Sequence, residues 1–450
     1  MARDAMTDTS LAIVVLAAGK GTRMRSDLPK VMHPLAGRPM ISHLLATAGE
    51  LAPEKMVFVV GPDMEIVGET VAPHPTCIQA ERDGTGGAVK AARDELADFA
   101  GTVLVLYGDT PLVSAETMRR AVEACCGDVA VTVLGFRPTH IHQYGRLITN
   151  DDGGLEAIIE AKDASPEQLA VNLCNSGVMA FDGRHLIGLL ERLDTNNAKN
   201  EYYLTETVAL ARADGHAAAV VEGEEDELLG VNSRADLALA EAVVQNNLRA
   251  RAMAGGATLV DPGTVWFQHD TVLGRDVVVH PNVVFGPGVT VADDVQIRAF
   301  SHLEGTSVEA GAVIGPYARL RPGAKIGAGA RVGNFVEVKN ADLGAGAKAN
   351  HLSYVGDARV GAGANIGAGT ITCNYDGFGK YETDIGDGAF IGSNSALVAP
   401  VTIGDGAIVA AGSTISSDVE VDALAIERSE QVAKHGWAAA FRKLKSKKKG

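Results

Sequence analysis

The chain has 450 residues, too many for one hydrophobic core, so two or three domains are expected. Apolar residues make up 46% and charged ones 21%, a globular balance that excludes long disorder. Forty basic against 56 acidic residues leave a net charge of −16, which argues against a nucleic-acid or anionic-membrane partner.

From the start, the apolar run Leu11 to Ala18 reads as a strand. It follows Asp4 and Asp8 rather than a basic segment, and it runs into Gly-Lys-Gly rather than a cleavage site. Short β-branched runs at Ile13–Leu16, Met56–Val60, Val103–Leu106 and Val129–Val133 predict buried strands. Helical segments such as Met40–Leu51 and Gly87–Phe99 alternate with them. This pattern, up to about residue 230, predicts an α/β domain with a mainly parallel sheet covered on both faces. Ligands of such sheets sit beyond the carboxyl ends of the strands. Five cysteines (Cys77, Cys125, Cys126, Cys174, Cys373) show no CxxC or zinc spacing, so a reduced, cytoplasmic compartment is expected. No stretch is long and uncharged enough to span a bilayer.

Ser233 opens a long helix predicted to end near Met253, with Leu237, Ala240, Val243, Val244 and Leu248 on one face. It is the expected connector, giving domains of 1–232, 233–254 and 255–450. The period then changes to six. Leu273, Val279, Phe285, Val291, Ile297 and Leu303 begin a series that continues, with occasional five-residue steps, through Val308 to Val338, Leu343 to Val355 and Val360 to Thr372. It resumes from Ile385 to Val421 after the polar, glycine-rich stretch Cys373–Asp384, which is expected to project as a loop. A period of six fits short strands separated by tight corners, with one aliphatic side chain per strand stacked inside a three-sided coil. Of 52 glycines, 30 lie in the last 196 residues, and aromatics are only 5% of the chain, as thin layers with sharp corners require. The series resembles the hexapeptide repeat, and the resemblance implies a left-handed parallel β-helix that assembles side by side as trimers. Arg442, Lys443, Lys445, Lys447, Lys448 and Lys449 at the end read as a frayed, solvated tail.

Two groups of residues carry chemistry. Leu16-Ala17-Ala18-Gly19-Lys20-Gly21-Thr22-Arg23-Met24, followed by Lys30, combines a strand end, glycines and cations, the makings of a polyphosphate cradle without the Walker spacing. Together with Gln79, Gly84-Thr85, Tyr107-Gly108-Asp109, Tyr144-Gly145, Glu160, Asn175, Glu201 to Glu206 and Asn232 in this order, it resembles the sugar-1-phosphate nucleotidyltransferases. Within them it resembles the bifunctional N-acetylglucosamine-1-phosphate uridyltransferase / glucosamine-1-phosphate N-acetyltransferase family, over nearly the whole chain. The resemblance implies a Rossmann-like first domain. It implies Mg²⁺ held by Asp109 and Asn232, an oxygen pair that suits a hard ion. Leu16, Ala17, Ala18, Gly19, Arg23 and Lys30 would face the phosphates, with Gly84, Thr85, Tyr107 and Gly108 lining the nucleotide pocket. Gln79 would read the uracil edge, and Gly145, Glu160 and Asn175 would hold the sugar.

In the coil, the resemblance implies that His351 is the general base, an imidazole suited to removing an ammonium proton. Arg321, Lys339, Tyr354 and Asn365 would bind the sugar phosphate. Ala368, Asn374, Tyr375, Ser393, Ala411 and Arg428 would contact acetyl-CoA, with the loop at Asn374-Tyr375 or a backbone N–H facing the oxyanion. His269, His280 and His302 read as surface residues of the repeats. The expected activity is acetylation of glucosamine-1-phosphate, then uridylyl transfer from UTP, in a cytoplasmic homotrimer with no nucleic-acid or membrane partner. The alternatives are a nucleotidyltransferase whose β-helix only oligomerises or regulates, and a non-catalytic scaffold. Three stretches depart from the family pattern: Gly87 where histidine is frequent, Cys174-Asn175-Ser176, and Lys199-Asn200.

Overall fold

Strand Leu11–Leu16 is apolar along its length because both its faces are covered. It pairs in parallel with Lys55–Val60 on one side and Thr102–Tyr107 on the other. The computed structural model describes residues 10–139, 144–197 and 199–446. The chain divides into two units, Met1–Asn247 and Leu248–Gly450. In the first, the main sheet runs in the order Ala217–Glu222, Val129–Phe136, Cys174–Asp182, Thr102–Tyr107, Leu11–Leu16, Lys55–Val60, Thr76–Ile78. One core packs Ile13, Phe58 and Leu104 with Ile41 and Leu44 of helix Met40–Gly49. The other packs Val14, Val57 and Val103 with Val89, Leu189 and Leu190.

Two expectations need correction here. Cys174–Asp182 runs antiparallel to both its neighbours, and the hairpin Arg146–Thr149/Leu155–Ile159 adds a second antiparallel element. Neither element has a β-branched run that local pattern would flag, and the sheet is mixed. Gly87–Phe99 is two short helices, Thr85–Ala91 and Arg93–Leu96, separated at Ala92.

The connecting helix, Arg234–Ala254, starts where the expected serine cap places it. The Ser233 hydroxyl accepts the Asp236 N–H at 3.3 Å, while the Asp236 carboxylate accepts the N–H groups of Ser233 and Asn232 at 2.8 and 3.0 Å. Ala240 and Val244 are buried on its face, and Leu248 and Ala252 pack on the core of the second unit.

That unit is a coil of mostly two-residue strands in parallel ladders, with successive partners about 18 residues apart, as in Val279↔Ile297 and Ile297↔Ile314. The long strands Glu337–Leu343 and Tyr354–Val360 turn a corner and join two of the ladders into one sheet. The sixth-residue aliphatics form the core, nearly all of them shielded from solvent, and its only large rings, Phe267 and Phe285, stack at 5.0 Å. One corner requires left-handed backbone at every turn. Asp276 and Asp294 supply it first, and Gly311, Gly329, Gly346 and Gly363 follow with φ between 65° and 70°. Repetition of that corner explains much of the glycine excess.

The end of the series departs from the expected phase. Val421 is 62% exposed, and Val419, four residues after Ile415, turns inward to bridge Ile403. The last coil is shortened, so the six-residue step does not close it. The loop between strands Ile371–Cys373 and Thr383–Ile385 is also shorter than expected, because its two ends belong to the ladders. The basic end is not frayed throughout: Trp437–Ser446 forms a helix carrying Arg442, Lys443 and Lys445. Lys447, Lys448 and Lys449, like Asp4 and Asp8, lie outside the described residues. Among the described residues no helix is long and apolar enough to cross a membrane, and all five cysteines are free.

Core and end positions should therefore respond differently to truncation. Ile314→Ala, at a fully buried site, should destabilise the coil by about 2–5 kcal/mol. Val421→Ala should stay within about 0.5 kcal/mol. Denaturant unfolding followed by far-UV circular dichroism reads both; equal losses would contradict the inward assignment of the six-residue series.

Candidate functional sites

In the first unit, the carboxyl ends of neighbouring strands meet. The N–H of Ala17 donates to Val59 O at 2.7 Å and that of Gly108 to Leu16 O at 2.9 Å, so the loops after three strands open on one side. Leu16, Ala17, Ala18 and Gly19 line a cleft of about 220 Å³ with Lys30, Gln79, Gly84, Thr85, Tyr107 and Asp109. Two glycines keep it open. A Cβ at Gly108 would come within 2.9 Å of Val31, and one at Gly21 within 2.6 Å of the Lys30 Cβ. Arg82, which local pattern does not single out, crosses to Ala18 O at 2.9 Å and braces the first loop. Gln79 is buried; its amide Nε2 donates to Asp83 Oδ1 at 2.9 Å and Gly84 O at 3.0 Å.

At the cleft's edge the Lys30 ammonium donates to the Asp109 carboxylate and, at 3.0 Å, to the Asn232 amide oxygen. Residues more than 200 positions apart thus bring a carboxylate and a neutral oxygen to one positive charge. No group of three or more His, Cys, Asp or Glu side chains stands together among the described residues. The adjoining cavity, about 620 Å³, is lined by Arg23, Tyr144, Glu160, Lys162, Lys199, Tyr203, Asn232 and Asp236. Gly145 and Asn175 are not among the lining residues of either cavity. The N–H of Asn175 donates to Gly145 O at 2.8 Å, and its side-chain oxygen accepts from Gly177 N–H at 2.9 Å.

In the second unit, His351 belongs to a column at one corner of the coil. Residues one turn apart are joined there by backbone bonds: Leu352 N–H to Asn334 O (3.0 Å), Gly369 to His351 (3.4 Å), Asn394 to Ala368 (2.8 Å) and Gly412 to Ser393 (2.8 Å). His351, Ala368, Ser393 and Ala411 therefore stand in line, and the Arg428 guanidinium closes the series on Ala411 O at 2.8 Å. Asn365 lies on the same ladder, paired with Lys348. The His351 Nδ1 is 2.6 Å from the Asn334 side-chain oxygen. An oxygen acceptor there selects the Nδ1–H tautomer and leaves Nε2 with its lone pair outward.

A second group occupies the joined ladders. Arg321 donates to Glu337 at 2.8 Å, and Glu337 lies beside Tyr354 in register. Lys339, Asn340, Asp357, Lys380, Tyr381 and Glu382 line a cavity of about 360 Å³. The buried Asp357 carboxylate accepts from Asn340 Nδ2 at 2.7 Å and from Asn374 Nδ2. The Asn374 amide nitrogen also lies 3.4 Å from the Tyr354 hydroxyl. Burial alone would raise the Asp357 carboxyl. The two amides and the charges of Lys339 and Lys380 outweigh it and hold it below the usual carboxylate range. Hydrogen bonding and repulsion from Lys339 lower the Lys380 ammonium, with the Asp357 charge working in the opposite direction. Tyr375 is exposed on the loop, its hydroxyl donating to Gly377 O at 2.8 Å. Asn334, Asp357 and Lys380 were not marked by any motif. Only Asn334 was recoverable, since it lies one coil before His351.

Two family models match: the MobA-like NTP transferase domain over residues 13–171, and the bacterial transferase hexapeptide (six repeats) over 270–305, 305–340 and 382–417. The coil is thus the left-handed β-helix of hexapeptide transferases. The bifunctional protein GlmU of Paramagnetospirillum magneticum is 62% identical over 446 residues, 99% of each chain. That of Rhodospirillum rubrum is 64% identical over 436 residues, 96% of this chain and 98% of its own. That of Azorhizobium caulinodans is 56% identical over 448 residues, 99% of this chain and all of its own. With likeness of this degree along both units, the chain belongs to the bifunctional GlmU family, the uridyltransferase / N-acetyltransferase that its ordered motifs resemble.

Proposed function

We propose that the protein's two transferase reactions divide between its two units. The protein acetylates glucosamine-1-phosphate with acetyl-CoA and couples N-acetylglucosamine-1-phosphate to UTP, giving UDP-N-acetylglucosamine and pyrophosphate. The observation that carries the division is the column on the coil, which sets an imidazole in line with a row of backbone corners. It has no counterpart in the cleft of the first unit.

In the coil, Nε2 of His351 takes a proton from the substrate ammonium as its nitrogen attacks the thioester carbonyl. The C–S bond then breaks, the imidazolium returns its proton to the departing sulfur so that coenzyme A leaves as the thiol, and the nitrogen's second proton passes to water. Asn334 fixes the imidazole's tautomer and ring plane. Arg321 and the pair Lys339 and Lys380 supply the positive charge that a sugar phosphate needs. Both hydrogens of the Asn374 amide are directed at Asp357 and Tyr354, so the oxyanion is left to a backbone N–H of the loop. Ala368, Ser393, Ala411 and Arg428 form an extended rail for the coenzyme, with Tyr375 at its side. The base column and the phosphate-binding lysines stand on different ladders of one coil. Packing coils side by side as a homotrimer is what would bring both sets to one pocket.

In the first unit, an oxygen of the sugar phosphate attacks the α-phosphorus of UTP in line, and the bond to the β-phosphate breaks to release pyrophosphate. The nucleophile is already anionic, so positioning and charge neutralisation suffice. Asp109 and Asn232 would hold Mg²⁺, for which the Lys30 ammonium between them is the stand-in cation. A Mg²⁺ ion held by these two oxygens would supply charge neutralisation at the phosphates. Lys30 and Arg23 add to that neutralisation, the backbone at Ala17 to Gly19 faces the phosphates, and Gln79 reads the base. Glu160, at the wall of the larger cavity, is placed to accept from a sugar hydroxyl. Burial raises its carboxyl above the ordinary glutamate value, with Lys199 working in the opposite direction.

Four outcomes test this reading. His351→Ala should reduce thiol release from acetyl-CoA by about 10²–10⁴-fold, with pyrophosphate formation from UTP unchanged. Asp109→Ala should do the reverse and make nucleotide binding insensitive to Mg²⁺ in titration calorimetry. Light scattering should return three times the chain mass, and a monomer with full acetyltransferase activity would contradict the shared pocket. For Glu160, a raised folded value means that its protonated form adds stability below the ordinary glutamate range, which is lost as pH rises through the folded value. Glu160→Gln should therefore gain melting temperature relative to the parent between about pH 4 and pH 7, while affinity for the sugar phosphate falls.

A further inference from the structure

The geometry points to Asp83 as a specificity-determining residue that locks the Gln79 amide in one orientation, so that the first site accepts a nucleobase only if it offers a ring N–H, as uracil does. The inference rests on the reading of Gln79 as the contact to the base.

A glutamine amide is two-faced: its nitrogen donates and its oxygen accepts. A free glutamine can turn by 180° and satisfy either kind of base edge. Gln79 cannot turn. It is 6% exposed, and its Nε2 is held at 2.9 Å from Asp83 Oδ1 and 3.0 Å from Gly84 O. Both of those partners are acceptors. Rotating the amide would set its oxygen against a carboxylate and a carbonyl, leaving three acceptors face to face with no donor among them. Both N–H bonds are therefore spent inside the protein, and Oε1 is the group Gln79 offers to the cleft it lines.

An acceptor locked in this way suits the N3–H of uracil. Cytosine presents a lone pair at the same ring position, so an acceptor there meets an acceptor. A site with an unlocked glutamine could turn and tolerate it.

The lock depends on a vacancy at residue 87. A Cβ on Gly87 would lie 1.9 Å from Asp83 Oδ1, so the carboxylate fits only because residue 87 has no side chain. The Asp83 segment is also held from the other side, where Tyr202 N–H donates to Asp83 O at 2.7 Å and Gly86 N–H to Tyr202 O at 2.8 Å. Gly87 is one of the positions at which this chain departs from its family's pattern, and Asp83 gives that departure a physical role.

The test is the ratio of kcat/KM for UTP to that for CTP, measured on the full-length enzyme with Mg²⁺ and N-acetylglucosamine-1-phosphate. Acetyl transfer by the same samples serves as the control for folding. Asp83→Ala should lower the ratio about ten-fold or more. Gly87→Ala, which displaces the carboxylate without removing it, should lower it in the same direction. Asp83→Asn, which can still turn an oxygen toward Gln79, should keep most of it. An unchanged ratio in Asp83→Ala, together with a collapsed ratio in Gln79→Ala, would overturn the lock and leave Gln79 as the base contact. An unchanged ratio in Gln79→Ala would overturn the base contact itself, and the lock with it. A parent enzyme that uses CTP as well as UTP would also overturn the inference. Should Asp83→Ala fail to fold, Gly87→Ala and Asp83→Asn read the same outcome.

Discussion

One aliphatic side chain turned inward at every sixth residue is the constraint on which the second unit depends. Each such residue, from Val279 and Phe285 through Ile403 and Val409, is shielded by its neighbours in the same stack, and the stack forces the backbone into ladders with partners about 18 residues apart. Regularity has a functional consequence. A residue placed two positions after an inward aliphatic recurs one turn later at the same corner, which is how His351, Ala368, Ser393 and Ala411 come to stand in one line. A β-helix can therefore align side chains from successive coils by repetition alone, without a dedicated pocket-forming domain.

The first unit solves a different problem by different means. Its sheet brings three strand ends to one edge, and the loops beyond them are tied together by charge. Lys30, Asp109 and Asn232 come from the first loop, the turn after strand Thr102–Tyr107 and the turn before the long helix, and they share one ammonium. Such a knot orders three separate segments at once and keeps two oxygens pointed at one positive charge. The same economy appears at Gln79, where one carboxylate determines which face of an amide is presented.

Much of this was legible beforehand, and for identifiable reasons. The six-residue series was readable because the side-chain pattern of a solenoid repeats in the chain itself, and it failed only at Val421, where the last coil shortens and Val419 takes the inward place. Helix Arg234–Ala254 was readable from its serine cap and closing glycines. Cys174–Asp182 was not, since a strand inserted antiparallel between parallel ones depends on partners far away in the chain. Most motif residues of the first site line one of two cavities; Gly108, Gly145 and Asn175 line neither. Arg82, Asp83, Asn334, Asp357 and Lys380 belong to no recognisable spacing, because each acts by touching another side chain.

By itself, the sequence determined the two kinds of architecture, the helix between them, and the motifs in which the chemically capable residue types are gathered. These follow from periodicity and local chemistry, which are properties of neighbouring positions. Only the tertiary structure decided orientation: the imidazole nitrogen turned toward Asn334, the amide face that Gln79 presents, and the pairing of Lys339 with Lys380 across a buried Asp357. A hydrogen-bond donor or acceptor is chosen by what stands opposite it, and chain order does not encode what stands opposite.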